Sequence, residues 1–413
     1  MPAVWPASST ISAAPSRRSP RLRVTTTRDP LPAYLSSFVV LGVVLGMLGP
    51  ALPSLRAQVG ASVGGISFVF VAQSAGYLVG AVTGGRGIDR GHGHRLLGGA
   101  LVLMAAGLLL VERSRSLGAM CGAFVILGLA IGFVEVGSNT LLVWARTPTS
   151  ASMINALHFV FGCGALLSPL LVNRSLSLHG NARPAYVITA LAAILAAAVV
   201  VSRPTPQPVD VSEHARGEAA STRQLLAVAC FFALYVGIEV GFAGWIATYA
   251  QSVRLGGSHG SGTGAALTAV FWAAFTVGRL GAIALAARVR AIALLLGSCI
   301  VSVLAAAAFV AARGSGPLVW VATVVFAAGL APQFATMLSF ASEHLPLTGS
   351  ATSWFLAASA IGGLTVPWII GQLFSAVGPG TMPVVVLAGA VAILAWVILL
   401  DRALPPAPVV RTA

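Results

Sequence analysis

Twelve apolar blocks, most of them about 20 residues long, follow one another along this chain with only short polar breaks between them: about 31–54, 64–84, 95–111, 117–144, 152–173, 184–202, 224–250, 264–287, 291–312, 317–341, 349–376 and 381–400. A block of that length crosses a hydrocarbon core of about 30 Å as an α-helix. In that medium only helices and closed barrels satisfy every backbone N–H and C=O. The period-two alternation of a barrel strand is missing, so an outer-membrane barrel is excluded. Charged residues make up 8% of the 413 positions, against about 25% in soluble domains. The predicted fold class is an all-α membrane protein with twelve transmembrane helices.

The longest internal polar break, 203–223, divides the blocks six and six. It carries Pro204, Pro206, Pro208 and mixed charges, the composition of a flexible linker. The expected organisation is a tail over 1–30, a six-helix half over 31–202, the linker over 203–223, a second six-helix half over 224–400, and a tail over 401–413. Residues 1–30 are rich in Pro, Ser, Thr and Arg and lack the apolar content of a core; a transit peptide shares that composition, but a cytoplasmic tail is the expectation. With the N-terminus inside, 17 of the 24 basic residues, all arginines, fall on the cytoplasmic side. Both termini are therefore predicted to be cytoplasmic. The net charge of +14 is scattered over loops and one tail, which suits an anionic leaflet and not nucleic acid. Cys121, Cys163, Cys230 and Cys299 sit in or beside apolar blocks, without the spacing of a metal site or a disulfide frame, and no cofactor is expected.

The halves echo each other. Gly128-Leu-Ala-Ile-Gly-Phe133 in the fourth block parallels Gly329-Leu-Ala-Pro-Gln-Phe334 in the tenth, and Gly42-x-x-x-Gly46 in the first parallels Gly237-x-x-x-Gly241 in the seventh. Two pseudo-symmetric six-helix bundles of this kind hold a solute between them near the midplane.

Of ten acidic residues, eight lie in tails, loops or helix ends; Glu135 and Glu239 alone stand inside long apolar blocks, one in each half. A carboxylate at that depth costs roughly 3 kcal/mol even on the lenient insertion scale, so it faces a cavity and acts there. Glu135, Ser138 and Asn139 share one helix face and offer acceptors and donors for sugar hydroxyls; the competing reading is a polar pair that holds two helices together. Asn155 and His158 follow the helical period in the fifth block toward Gly162. His158 is either a solute donor and proton partner of Glu135 or a histidine satisfied by a neighbouring helix. In the seventh block Tyr235, Glu239 and Phe242 share a side, giving a polar and aromatic wall, and Trp245 is either part of it or an interface anchor. Gln73, Trp272, Gln333 and Trp354 are lesser candidates, each of which packing alone explains.

Between the second and third blocks stands Gly85-Arg86-Gly87-Ile88-Asp89-Arg90-Gly91-His92-Gly93-His94-Arg95. With the two-by-six layout it resembles the signature loop of the major facilitator superfamily, although the glycine and basic residues after Asp89-Arg90 arrive one position late. The resemblance assigns Asp89 and Arg90 to a cytoplasmic gate. Within that superfamily Glu135-x-x-x-Asn139, Asn155-Ala-Leu-His158-Phe159, Tyr235-Val-Gly-x-Glu239, Gly278-Arg279 and Gly329-Leu-Ala-Pro332 are together similar to the fucose/galactose/glucose–proton symporter group and to sodium-dependent glucose transporter-like proteins. That likeness implies sugar binding at Glu135 and a cavity wall from Tyr235 to Glu239. Those symporters carry a proton-coupling acid in the first span; Gly46-Met-Leu-Gly-Pro-Ala-Leu-Pro53 has none, so either Glu135 or Glu239 takes that duty or the coupling differs.

The expected function is a secondary active transporter, working as a monomer in the cytoplasmic membrane and moving a small polar solute, a sugar first of all, in symport with a proton, with sodium as the second choice of coupling ion. The expected solute-binding set is Glu135, Asn139, Asn155, His158, Tyr235, Glu239, Trp245 and Gln333, with Glu135 and Glu239 as coupling groups. The rival is a proton-driven exporter, whose Gly-x-x-x-Gly-Pro-x-x-Gly pattern the fifth block lacks. A membrane-embedded enzyme would need a carboxylate or metal cluster, or large catalytic loops, and the sequence offers neither.

Overall fold

The computed structural model describes residues 29–88, 92–146, 150–207, 221–256, 261–312, 315–345 and 349–404. Asp89 and Arg90, nearly all of the 1–30 tail, most of the linker and most of the 401–413 tail lie outside them. Among the described residues all regular structure is helical: α1 (Leu31–Gln58), α2 (Val63–Ile66), α3 (Phe68–Ile88), α4 (Gly93–Arg113), α5 (Leu117–Arg146), α6 (Ser150–His179), α7 (Arg183–Val201), α8 (Thr222–Ser252), α9 (Ser261–Ala286), α10 (Ala291–Ala312), α11 (Gly316–Leu330), α12 (Gln333–His344), α13 (Gly349–Ala376) and α14 (Thr381–Ala403). These make twelve spans long and apolar enough to cross a bilayer, α2 with α3 and α11 with α12 each forming one.

Two breaks were not expected from hydropathy. Ser67 separates α2 from α3, its hydroxyl bonded to the Gly64 carbonyl at 2.6 Å. Pro332, which has no backbone N–H to donate, separates α11 from α12. Elsewhere prolines ride within helices, at Pro50 and Pro53 of α1, Pro169 of α6 and Pro367 of α13. Membrane helices tolerate such prolines.

Within the first half α1 packs on α6, α3 on α5, and α4 on α5 and α7; within the second α8 packs on α13 and α14, α9 on α11, and α10 on α11 and α14. Lipid is as apolar as leucine, so helix association here relies on close packing over small residues. The repeated glycines supply it in parallel. A Cβ at Gly42 would strike the Phe161 carbonyl of α6, and one at Gly237 would crowd Val366 of α13. Large apolar side chains such as Leu195, Val277 and Leu304 are exposed on the outer flank, a hazard in water and the expected surface against acyl chains.

The halves meet where α1 packs on α8 and α9, where α2 and α3 pack on α13, and where α6 packs on α9. The bundle has a near end, where α1 begins and α7 finishes, and a distal end, where α1 finishes. Toward the distal end the halves meet tightly. Gln372 of α13 donates to the Gly64 carbonyl (2.9 Å) and to Ser67 Oγ (3.1 Å). Phe70 of α3 stacks on Trp245 of α8, with centroids 6.1 Å apart, and Phe68 meets Trp368 edge-on at 6.2 Å. A Cβ at Gly49 would collide with the Ala243 carbonyl.

The near end is tied within the first half. His94, buried at the start of α4, links the Tyr34 hydroxyl at 2.8 Å to the Arg203 carbonyl at 2.9 Å. Arg203 in turn donates to the Asp29 carbonyl at 3.0 Å. The beginnings of α1 and α4 and the chain leaving α7 are thereby held together.

Candidate functional site

Glycines set the geometry around Glu135. A Cβ at Gly128 would strike the Gln73 carbonyl, and one at Gly132 the Tyr77 carbonyl, so α5 lies almost backbone to backbone on α3. That approach sets the Tyr77 hydroxyl beside the Glu135 carboxylate, without closing to a well-formed hydrogen bond. Glu135 lies deep in its span yet remains partly accessible. Asn139 donates its amide to the Glu135 backbone carbonyl at 2.9 Å, which leaves its side-chain oxygen for another partner. Ser138 is fully buried, its hydroxyl without a partner.

The second acid has a different setting. Tyr235, one turn before Glu239 on α8, is fully buried between Phe231 and Phe334, with centroids at 6.1 and 5.8 Å. Its hydroxyl is aimed at the Glu239 carboxylate and the Arg279 guanidinium of α9, with neither contact closing to a well-formed hydrogen bond. Arg279 acts on Glu239 across this hydroxyl and not as a contact ion pair; the close pair among the described residues is Glu112–Arg113, 3.8 Å, at the end of α4. The guanidinium also lies over the Phe275 ring, 4.5 Å from its centroid, a cation–π arrangement that helps keep a charge among apolar helices.

His158 of α6 faces Arg279 across the boundary between halves and packs edge-on against Phe38 of α1 at 5.6 Å. Beside it Phe161 meets Trp272 at 6.4 Å, and the Trp272 indole N–H and the Thr276 hydroxyl are buried with no partner. Asn155, a turn nearer the near end, is exposed, as is Trp354.

The structure thus gathers Tyr235, Glu239 and His158 around Arg279, and sets Glu135 with Asn139 and Tyr77. Two members of the predicted set lie apart. Trp245 is fully buried in the distal closure, its indole N–H bonded to the Pro367 carbonyl at 2.9 Å and its ring flanked by Phe70 and Phe374. Gln333 is buried where α12 begins, donating to Ser302 Oγ at 2.9 Å and to the Gly329 carbonyl at 3.2 Å. A groove on the flank, bordered by Gly278, Leu285, Arg288 and Pro332, includes none of the predicted site residues. Sequence reading passed over Tyr77 and Arg279 as site residues. Arg279 was detectable by the rule that found the glutamates, being an ionisable side chain inside an apolar span.

A two-by-six helical bundle with ionisable groups at its centre defines a class of membrane carriers, and the sequence places the chain within it. The profile of the Major Facilitator Superfamily matches residues 34–367, and the chain belongs to that family as a multi-pass membrane protein. It is 27% identical over 360 residues to sodium-dependent glucose transporter 1 of Xenopus laevis, covering 80% of this chain and 73% of the relative. It is 27% identical over 378 residues to sodium-dependent glucose transporter 1A of Mus musculus, covering 82% and 88%. In fold it is similar to a partially occluded, inward-open structure of the xylose transporter XylE of E. coli, with a TM-score of 0.74 at 13% identity over 91% of this chain and 99% of the other. The nucleoside transporter NupG gives 0.74 at 12% identity, over 90% and 99%.

Proposed function

We propose that this protein is a secondary active transporter that carries a sugar across the membrane together with a cation, by rocking its two halves about a central site. The carrying observation is the pair of partly accessible glutamates at membrane depth, one per half, each with a tyrosine hydroxyl beside it. An ionised carboxylate is disfavoured by burial, so taking up and releasing a cation there is coupled to which membrane face the site can reach. Glu135, Asn139, Asn155, His158, Tyr235 and Glu239 form the solute wall, and Phe161, partly exposed and packed on the buried Trp272, supplies apolar surface for the face of a sugar ring. Trp245 belongs to the distal closure in this reading, and Gln333 supports α12 from behind. The distal contacts seal one face, and the near end is the cytoplasmic one, with both termini there.

The cation is a proton or sodium; the relatives named for sodium-dependent glucose transport support the second. Uptake into proteoliposomes tests the reading, using labelled glucose, galactose and fucose under proton and sodium gradients imposed separately. Accumulation of one of these sugars above equilibrium under one gradient is expected. Absence of gradient-driven accumulation for the whole panel, or drug sensitivity of a deletion strain in its place, would overturn it.

A further inference from the structure

The two carboxylates do not have equivalent neighbours, and the difference assigns them separate duties. Around Glu239, α9 contributes Arg279 and α8 itself Tyr235; no other charged group faces this carboxylate from α1, α12, α13 or α14 among the described residues. Around Glu135, α3 contributes the Tyr77 hydroxyl, and among the described residues α1, α4 and α6 present no charged side chain to it. One acid has a cation built into the protein. The other has none among the described residues.

We propose that Arg279 is the fixed counter-charge of Glu239, acting across the Tyr235 hydroxyl, and that the coupling cation is the counter-charge of Glu135. The argument is one of charge accounting at membrane depth, where an unpaired ion is costly. Arg279 is itself held over the Phe275 ring of its own helix. It therefore keeps the Glu239 side neutral overall whichever way the carrier faces. Glu135, with only a hydroxyl for company, is compensated when a proton or a sodium ion arrives. Asn139 Oδ1 and the Tyr77 hydroxyl are oxygen atoms within the same neighbourhood that suit either cation. Arg279 is in this account a positioning residue, and the assignment rests on the transport function proposed above.

The test needs no solute, so its failure and a failure of sugar uptake are distinguishable. Thermal unfolding of the purified full chain is followed in sodium chloride against choline chloride at fixed pH, and across a pH series without sodium. The two arms separate sodium from proton. Wild type is expected to show a Tm shift in one arm, Glu135→Gln to lose the shift completely, and the double variant Glu239→Gln/Arg279→Gln to keep it. Arg279→Gln alone is expected to show a second, additional cation response, because Glu239 then lacks its partner; a merely structural role for Arg279 would lower Tm without adding one. Should the double variant fail to give monodisperse protein, Arg279→Lys carries the same test and must retain the wild-type cation dependence. A shift that survives Glu135→Gln, a shift lost in the double or the Lys variant, an Arg279→Gln profile parallel to wild type, or no response in wild type would each overturn the proposal.

Discussion

Glu135 and Glu239 look alike in the sequence and differ in the structure. The first sits where two helices touch almost backbone to backbone and is met by a neutral hydroxyl. The second sits opposite a helix that brings an arginine, with an aromatic cluster screening the pair. Nor are they mates under the internal repeat. The pairing of Gly128 with Gly329 places Thr336 opposite Glu135, and the pairing of Gly42 with Gly237 places Val44 opposite Glu239. The two halves share a helical scaffold, and their polar chemistry differs. A pseudo-symmetric frame can rock evenly while its two polar centres respond differently to the same ion.

The largest expected effect breaks the comparison outright. Glu135→Gln should lower cation-driven sugar accumulation by about 100-fold, roughly 2.8 kcal/mol of lost coupling, while exchange of sugar at equal concentrations persists; accumulation ratios in proteoliposomes check both. Next comes the charge pair. Glu239→Gln or Arg279→Gln alone leaves a buried charge without its partner and should cost about 2 kcal/mol, below the 3–5 kcal/mol of a contact pair because the guanidinium acts across Tyr235. The double variant should recover more than half of that in a double-mutant cycle of unfolding. Additive losses would mean that the two charges are independent.

A finer contrast lies in the tyrosines. Tyr77→Phe removes the hydroxyl beside a carboxylate that has no protein cation facing it among the described residues and should weaken the apparent cation affinity by roughly tenfold, about 1.4 kcal/mol. Tyr235→Phe removes a hydroxyl that makes no close hydrogen bond and should cost under about 1 kcal/mol, with cation affinity nearly unchanged. Titration of the Tm shift against cation concentration reads both. Equal effects would erase the distinction between the two centres.

Much of this was legible before any coordinates. The twelve spans follow from block length alone, because a low-dielectric core forces every backbone group into a helix, and α10 and α13 match the predicted limits. The Ser67 break was not legible: a serine and two glycines barely alter hydropathy, yet local hydroxyl bonding ends one helix and starts the next. The glutamates announced themselves by the cost of charge. Their partners did not, since Tyr77 carries no sequence signal and meets Glu135 only because Gly128 and Gly132 let the helices touch. Trp245 shows the converse difficulty. Its place one and a half turns after Glu239 suits a cavity wall or a closure equally, and the arrival of Phe70 and Pro367 from distant segments decides between them.

Both centres are open to comparison only if one face of the carrier is shut while they fill, and Gln372 gives the smallest handle on that condition. Its amide joins α13 to the α2–α3 turn by side-chain hydrogen bonds to two acceptors, at 2.9 and 3.1 Å. Gln372→Ala removes both bonds, yet the Gly64 carbonyl and Ser67 hydroxyl regain water as the distal end loosens, so the net cost should be about 1 kcal/mol. That shifts the balance between distal-closed and distal-open forms roughly fivefold toward open. The aromatic contacts of Phe68 and Phe70 remain, so closure weakens without being abolished. Labelling of a cysteine placed at Ser375, beside Gly64, should accelerate accordingly, and added cation should alter the rate in the Gln372→Ala background with Glu135 intact but not with Glu135→Gln. A labelling rate that responds to cation in both would place the coupling outside Glu135 and dissolve the contrast between the two acids.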